Sequence, residues 1–320
     1  MPMDITTHQA LQLDKTIRAE VNGKKNGVIN DPAWDAAYHP CPEAFPDESV
    51  PRGSVVKFEN WDQSRVYPGT TRDLWVYAPA VFEPGLSIKR GAVKQEPGKP
   101  QVIFFNDGAW YLGRSGPVRA THVLDTLHHQ EAIQSTIAIF INPGDPSGPV
   151  KTPVESYDPR AAQRSFEYDS LTPVYADFLF QDVLPFVENE LDIEVSQRPE
   201  QRTICGISSG GIAAFNVAWQ QPENCQRVIS HCGSFTDIWG GHNFPSIIRK
   251  TDRKPIRAFL QSGENDANTP FGDWALANQA MASALTWADY DFKFEFGTGG
   301  HNLSHGGAIF AETLRWLWRD

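Results

Sequence analysis

The chain has 320 residues, a net charge of −11 and no basic run, so neither nucleic acid nor an anionic membrane surface is an expected partner. It is long enough for one large α/β domain with a sizeable core. No apolar run approaches the ~18 residues of a membrane span, and Met1-Pro2-Met3-Asp4 lacks the basic and apolar regions of a signal peptide, which together predict a cytoplasmic protein.

Residues 1–49 read as an irregular N-terminal extension. Leu11 to Val21 is predicted to form a short helix, and Asn22 to Pro51 is rich in Gly, Asn, Asp and Pro. The sequence assigns this stretch no function. Residues 50–320 read as one domain without internal repeat. Ser54 to Phe58 and Asp73 to Tyr77 alternate as strands around a Tyr67-Pro68-Gly69 turn, an antiparallel opening pair. Pro84 to Pro100 reads as a loop. Val102-Ile103-Phe104-Phe105 and Thr136 to Ile141 are continuous apolar runs, as expected of strands covered on both faces.

Between and after these strands, Val118 to His129 is a predicted helix and Pro143 to Pro159 a long loop. Pro173 to Leu191 has a helical apolar stripe that Pro185 should kink. Further strands are expected at Thr203 to Ile207, Val228 to Cys232, Arg257 to Gln261 and Phe292 to Phe296. Helices are expected over Trp274 to Trp287 and Ala308 to Trp318. Strands alternating with helices imply an α/β fold: a mostly parallel central sheet with helices on both faces. Of the four cysteines, Cys205 and Cys232 lie in apolar runs and read as small buried hydrophobes.

Gly206-Ile207-Ser208-Ser209-Gly210 follows a strand and opens a helix marked by Ile212, Phe215 and Trp219. This fits the G-x-S-x-G nucleophile elbow, in which a serine sits on a strained turn. Two later strand ends carry complementary groups: Glu264-Asn265-Asp266 and Gly299-Gly300-His301. The order Ser, acid, His is that of α/β-hydrolases. A serine hydroxyl needs a base to take its proton, an imidazole titrates near neutrality, and a carboxylate fixes its tautomer. Ser208 is therefore the expected nucleophile, His301 the base and Asp266 the acid. Glu264 and His305 are the alternatives for the last two roles. The glycines before His301 suit a turn that aims its ring. The oxyanion hole is expected from the N–H groups of Ser209 and Ala109.

Candidate substrate-binding residues are Asp107, Trp110, Arg164, Trp239 and His242, with core packing or surface ion pairing as the alternative for each. Arg164 has Glu167 and Asp169 as candidate partners. His231, inside an apolar strand, reads as a core histidine. No metal-ligand spacing, phosphate loop or dinucleotide fingerprint is found, so no cofactor is expected.

Together, Asn106-Asp107-Gly108, the Gly206 to Gly211 elbow, Ser262-Gly263-Glu264-Asn265-Asp266 and Gly299-Gly300-His301 resemble the enterochelin-esterase and esterase-D-like α/β-hydrolases. Feruloyl and acetyl-xylan esterases of carbohydrate esterase family 1 and the mycolyltransferases are relatives of that group. The resemblance covers residues 50–320. It implies an α/β-hydrolase fold and a serine esterase acting on a sugar, aryl or macrolactone ester. Acyl transfer to a sugar alcohol is the second enzymatic reading, and a catalytically silent binding protein the third. A homo-oligomeric state is left open. Enterochelin esterases carry a separate N-terminal β domain, which this chain is too short to hold in full.

Overall fold

An eight-stranded sheet divides the core into two layers. The computed structural model describes residues 28–80, 99–148 and 161–319, with the strand residues 20–21 and 24–25. The strands are β1 (Ser54–Trp61), β2 (Arg72–Ala78), β3 (Gln101–Asn106), β4 (Thr136–Ile141), β5 (Arg202–Ile207), β6 (Arg227–His231), β7 (Arg257–Asn265) and β8 (Asp291–Gly300). They lie side by side in the order β8-β7-β6-β5-β3-β4-β2-β1. From β8 to β4 every neighbour is parallel, while β2 is antiparallel to both β4 and β1. The predicted α/β architecture with its antiparallel pair is present.

Alternation sorts the strand side chains between two faces. On one face Val102, Phe104, Ile137, Ile139 and Ile204 meet the helices Ala161–Tyr168 and Ser209–Gln220 and the helical run 174–191. On the other, Ile103, Phe105, Phe140, Cys205 and Phe259 meet the helices Ala120–His129 and Phe310–Leu317. Both faces being covered explains why β3, β4 and β5 read as unbroken buried runs. All four cysteines are buried and free.

Several boundaries differ from expectation. Of the helix predicted over Leu11 to Val21, residues 11–19 lie outside the described residues; its last two, Glu20–Val21, pair as a short antiparallel strand with Lys24–Lys25. Most of the loops at 84–100 and 143–159 also lie outside them. The run 174–191 is helical, but its middle, Phe178–Val183, is a π-helical turn. Pro185 has no N–H to give the Gln181 carbonyl four residues back. Arg65 Nη2 donates to that carbonyl instead, at 2.7 Å. The last helix breaks at Ile309 into Ser304–Ala308 and Phe310–Leu317. No helix among the described residues is long and apolar enough to cross a membrane.

His231 is fully buried on β6, with Nδ1 hydrogen-bonded to the Tyr111 hydroxyl at 2.9 Å. Burial, with His305 nearby, pushes its pKa down to about 3. The unfolded chain takes up this proton near the ordinary histidine value and the folded chain does not, so stability falls as pH drops from ~6.5 towards 3. Urea unfolding at pH 7 and pH 5 tests this. His231→Gln should lose less stability than wild type between the two, by roughly 2 kcal/mol. Equal losses would show that His231 does not contribute to the acid sensitivity.

Candidate active site

Ser208 lies between β5 and the helix Ser209–Gln220, at φ 59° and ψ −122°. A non-glycine residue at positive φ costs of order 1–3 kcal/mol and persists only where its surroundings impose it. Here they do. The Ser208 N–H donates to the His231 carbonyl at 2.9 Å, and the Ser208 carbonyl accepts from Gly211 N–H at 2.9 Å and Ser234 N–H at 3.0 Å. The chain doubles back so tightly that a Cβ on Gly206 would sit 2.2 Å from the Gly210 carbonyl oxygen. That contact is why the elbow requires glycine at Gly206.

The ends of β7 and β8 bring two more groups to this turn. His301 Nε2 lies 2.9 Å from Ser208 Oγ, and His301 Nδ1 lies 2.6 Å from Asp266 Oδ1. The Asp266 side chain is wholly buried. Its Oδ1 accepts from Ala267 N–H at 2.8 Å and its Oδ2 from the Ser262 hydroxyl at 2.5 Å. Glu264 is exposed at the end of β7. His305 bonds Gln261 and stacks on Tyr38. The structure thus gathers Ser208, His301 and Asp266, and neither alternative. Trp274 stands edge-on to the His301 ring, and its indole N–H donates to Ser234 Oγ, itself 3.2 Å from Ser208 Oγ. Cys232 offers a thiol within 4.8 Å of the Asp266 and His301 ligand atoms, the one such trio found among the described residues. Its members come from three strand ends, so no local spacing in the sequence announces it.

Beneath the elbow, Asp107 is fully buried at φ 52°, at the head of the short helix Gly108–Leu112. Arg164 grips it with two bonds, Nε to Oδ1 at 2.8 Å and Nη2 to Oδ2 at 2.7 Å. Nη2 also donates to the Ile207 carbonyl at 3.2 Å, so one guanidinium ties the Asp107 turn to the residue before the nucleophile. Burial alone would lower the arginine's pKa, but the Asp107 carboxylate outweighs it and the value is raised. Glu167, a candidate partner of Arg164, is instead paired with the buried Arg72 at 2.7 Å. Ser209 N–H is among the first-turn amides of its helix, which have no intrahelical acceptor. Ala109 N–H, expected to join it, donates to Asn142 Oδ1 at 3.1 Å. Asn142, immediately after β4, went unnoticed in the sequence; its signal was a lone polar residue closing an apolar run.

Residues 91–297 match the family model described as "Putative esterase". The chain belongs to this esterase family. A search of curated proteins finds no match. Among solved structures, the fold is similar to the enterobactin esterase of Shigella flexneri, at 17% identity and TM-score 0.62 over 88% of this chain. This chain spans only 62% of that protein's length. A ferulic acid esterase aligns at 17% identity and TM-score 0.60, over 84% of this chain and 99% of its own. A ferulic acid esterase from Anaeromyces mucronatus, in complex with ferulic acid, aligns at 14% identity and TM-score 0.58, over 86% and 95%.

A pocket of about 410 Å³ opens over Ser208 and His301. Trp110, Pro117, Ile207 and Leu303 give it apolar walls, and Arg164, Asn302 and Ser115 add polar edges. Trp110 and Arg164 therefore stand where substrate contacts were expected. Asp107 does not, because it is buried below and held by Arg164. Trp239 and His242 are not among the lining residues. Trp239 packs edge-on against Phe166, and His242 pairs with Asp237 at 3.0 Å. Both come from the loop after β6.

Removing one partner of a buried ion pair strands the other charge. Arg164→Ala should therefore cost about 3–5 kcal/mol in urea unfolding. The double variant Arg164→Ala/Asp107→Asn should recover part of that loss. A loss below about 1 kcal/mol for the single variant would mean that the pair carries little stability.

Proposed function

We propose that this esterase cleaves a carboxylic ester through an acyl-enzyme on Ser208. One observation carries the reading: Ser208 Oγ, His301 and Asp266 form a continuous hydrogen-bonded chain at the floor of the pocket. His301 Nε2 takes the hydroxyl proton as Ser208 Oγ attacks the carbonyl carbon. Asp266 keeps Nδ1 protonated and stabilises the imidazolium. Negative charge grows on the carbonyl oxygen and is met by Ser209 N–H. Ala109 N–H joins it by exchanging Asn142 Oδ1 for the stronger acceptor. His301 then protonates the leaving alkoxide, and the acyl-enzyme forms. In the second half, His301 activates water and the acid is released.

The substrate we infer is an aryl acid esterified to an alcohol such as a sugar. The flat apolar wall of Trp110, Ile207 and Leu303 suits an aromatic acyl group. The fold's similarity to ferulic acid esterases supports the same choice.

A fluorophosphonate probe should label wild type at Ser208 and leave Ser208→Ala unlabelled. Ser208→Ala and Asp266→Asn should lower kcat on p-nitrophenyl esters on the order of 10³- to 10⁴-fold with folding intact. Labelling at another residue would overturn the assignment. Methyl ferulate should be cleaved with higher kcat/KM than a short aliphatic methyl ester; the reverse order would exclude an aryl acyl pocket.

A further inference from the structure

The loop that bears His301 is held from outside by the N-terminal segment. Asp35 spans it. Its Oδ1 accepts from the Gly300 N–H at 3.2 Å, and its Oδ2 from Asn302 Nδ2 at 2.6 Å. Those two donors flank His301 on either side. Asn30 Nδ2 donates to the His301 carbonyl at 3.4 Å. Two residues before Gly300, the Thr298 N–H donates to the Tyr38 hydroxyl at 2.9 Å. Tyr38 stacks on His305 with ring centroids 4.2 Å apart. From below, the Cys232 thiol donates weakly to the carbonyls of Gly300 and Asn302 at 3.8 and 3.7 Å.

The glycines in front of His301 carry the same imprint. None of Gly297, Gly299 and Gly300 has a positive φ, so no turn demands them. What they lack is room for a side chain. A Cβ on Gly297 would sit 2.1 Å from the Tyr38 hydroxyl oxygen. On Gly299 it would sit 3.1 Å from Asp35 Oδ1, and on Gly300 2.8 Å from Asn30 Oδ1. Three glycines on β8 thus open a seat for three residues of the segment 30–38.

We infer that Asp35 is a positioning residue for His301, and that the segment 30–38 is part of the catalytic apparatus. This rests on His301 being the base proposed above. The physical reason is the short reach of proton transfer. His301 Nε2 must stay within hydrogen-bond distance of Ser208 Oγ while Nδ1 keeps Asp266. The buried carboxylate anchors one ring nitrogen, but it does not hold the backbone on either side of the half-buried His301. Asp35 supplies the missing restraint with a charge-assisted bond to each side of the residue. A displacement of about 1 Å at such a site costs on the order of 10²-fold in rate.

The test compares wild type, Asp35→Ala and Asp35→Asn for kcat, KM, the pH profile of kcat and the rate of fluorophosphonate labelling, at matched circular dichroism and Tm. Asp35→Ala should lower kcat roughly 10- to 100-fold, leave KM within about twofold, and slow labelling in parallel. Asp35→Asn keeps one oxygen for the Gly300 N–H and should lose less, which also covers the case in which the alanine variant fails to fold. A kcat within twofold of wild type for both variants would overturn the inference. So would a raised KM with unchanged kcat, since that would make the segment a substrate rim. If wild type itself is not labelled at Ser208, the nucleophile assignment fails first and this inference falls with it; labelled wild type with unaffected Asp35 variants fails this inference alone.

Discussion

A single strained serine sets the geometry of this protein. Ser208 holds φ 59° because the strand before it and the helix after it approach until Gly206 touches Gly210. The strain of order 1–3 kcal/mol is offset by bonds the turn could not otherwise make. Its N–H reaches across to β6, and its carbonyl collects the amides of Gly211 and Ser234. The consequence is functional. The turn lifts Oγ above the sheet edge, where groups from the ends of β7 and β8 can reach it.

Charge in the interior is arranged to keep that turn still. Two carboxylates, Asp107 and Glu167, are fully buried, and each has an arginine partner. Burying either alone would be prohibitive, so each pair works as a clamp between elements distant in sequence. Arg72 with Glu167 joins the antiparallel strand β2 to the helix Ala161–Tyr168. Arg164, from the same helix, joins the Asp107 turn to the end of β5. One helix therefore holds both the Asp107 turn and the strand that ends before Ser208. The pocket above then meets substrate with apolar walls and an arginine whose charge is already matched.

Hydrogen bonding from three directions defines the histidine. Asp266 fixes one ring nitrogen, Ser208 the other, and the loop backbone is bonded by Asp35, Asn30 and Cys232. The two sides differ in physical character. The Asp266 contact comes from the neighbouring strand end, while Asp35 and Asn30 reach the loop from a segment some 270 residues away, as in the 267-residue separation of Asp35 and Asn302.

By itself the sequence determined the sheet, because unbroken apolar runs and helical stripes are local signals of burial. It also determined the elbow, which is encoded in five consecutive residues, and the order of serine, acid and histidine at three strand ends. Tertiary structure alone decided the choice of Asp266 over Glu264, since two residues that are near neighbours in the chain leave β7 in different directions. It decided that Asp107 is buried and clamped by Arg164, that Ala109 N–H is engaged by Asn142, and that Trp239 and His242 are not among the residues lining the pocket. The glycines before His301 show the reason most directly. In the sequence they suit a turn that aims the His301 ring; in the fold they are strand residues whose missing side chains make room for Asn30, Asp35 and Tyr38. A local pattern records what a residue's own backbone requires, but not which distant segment will occupy the space beside it.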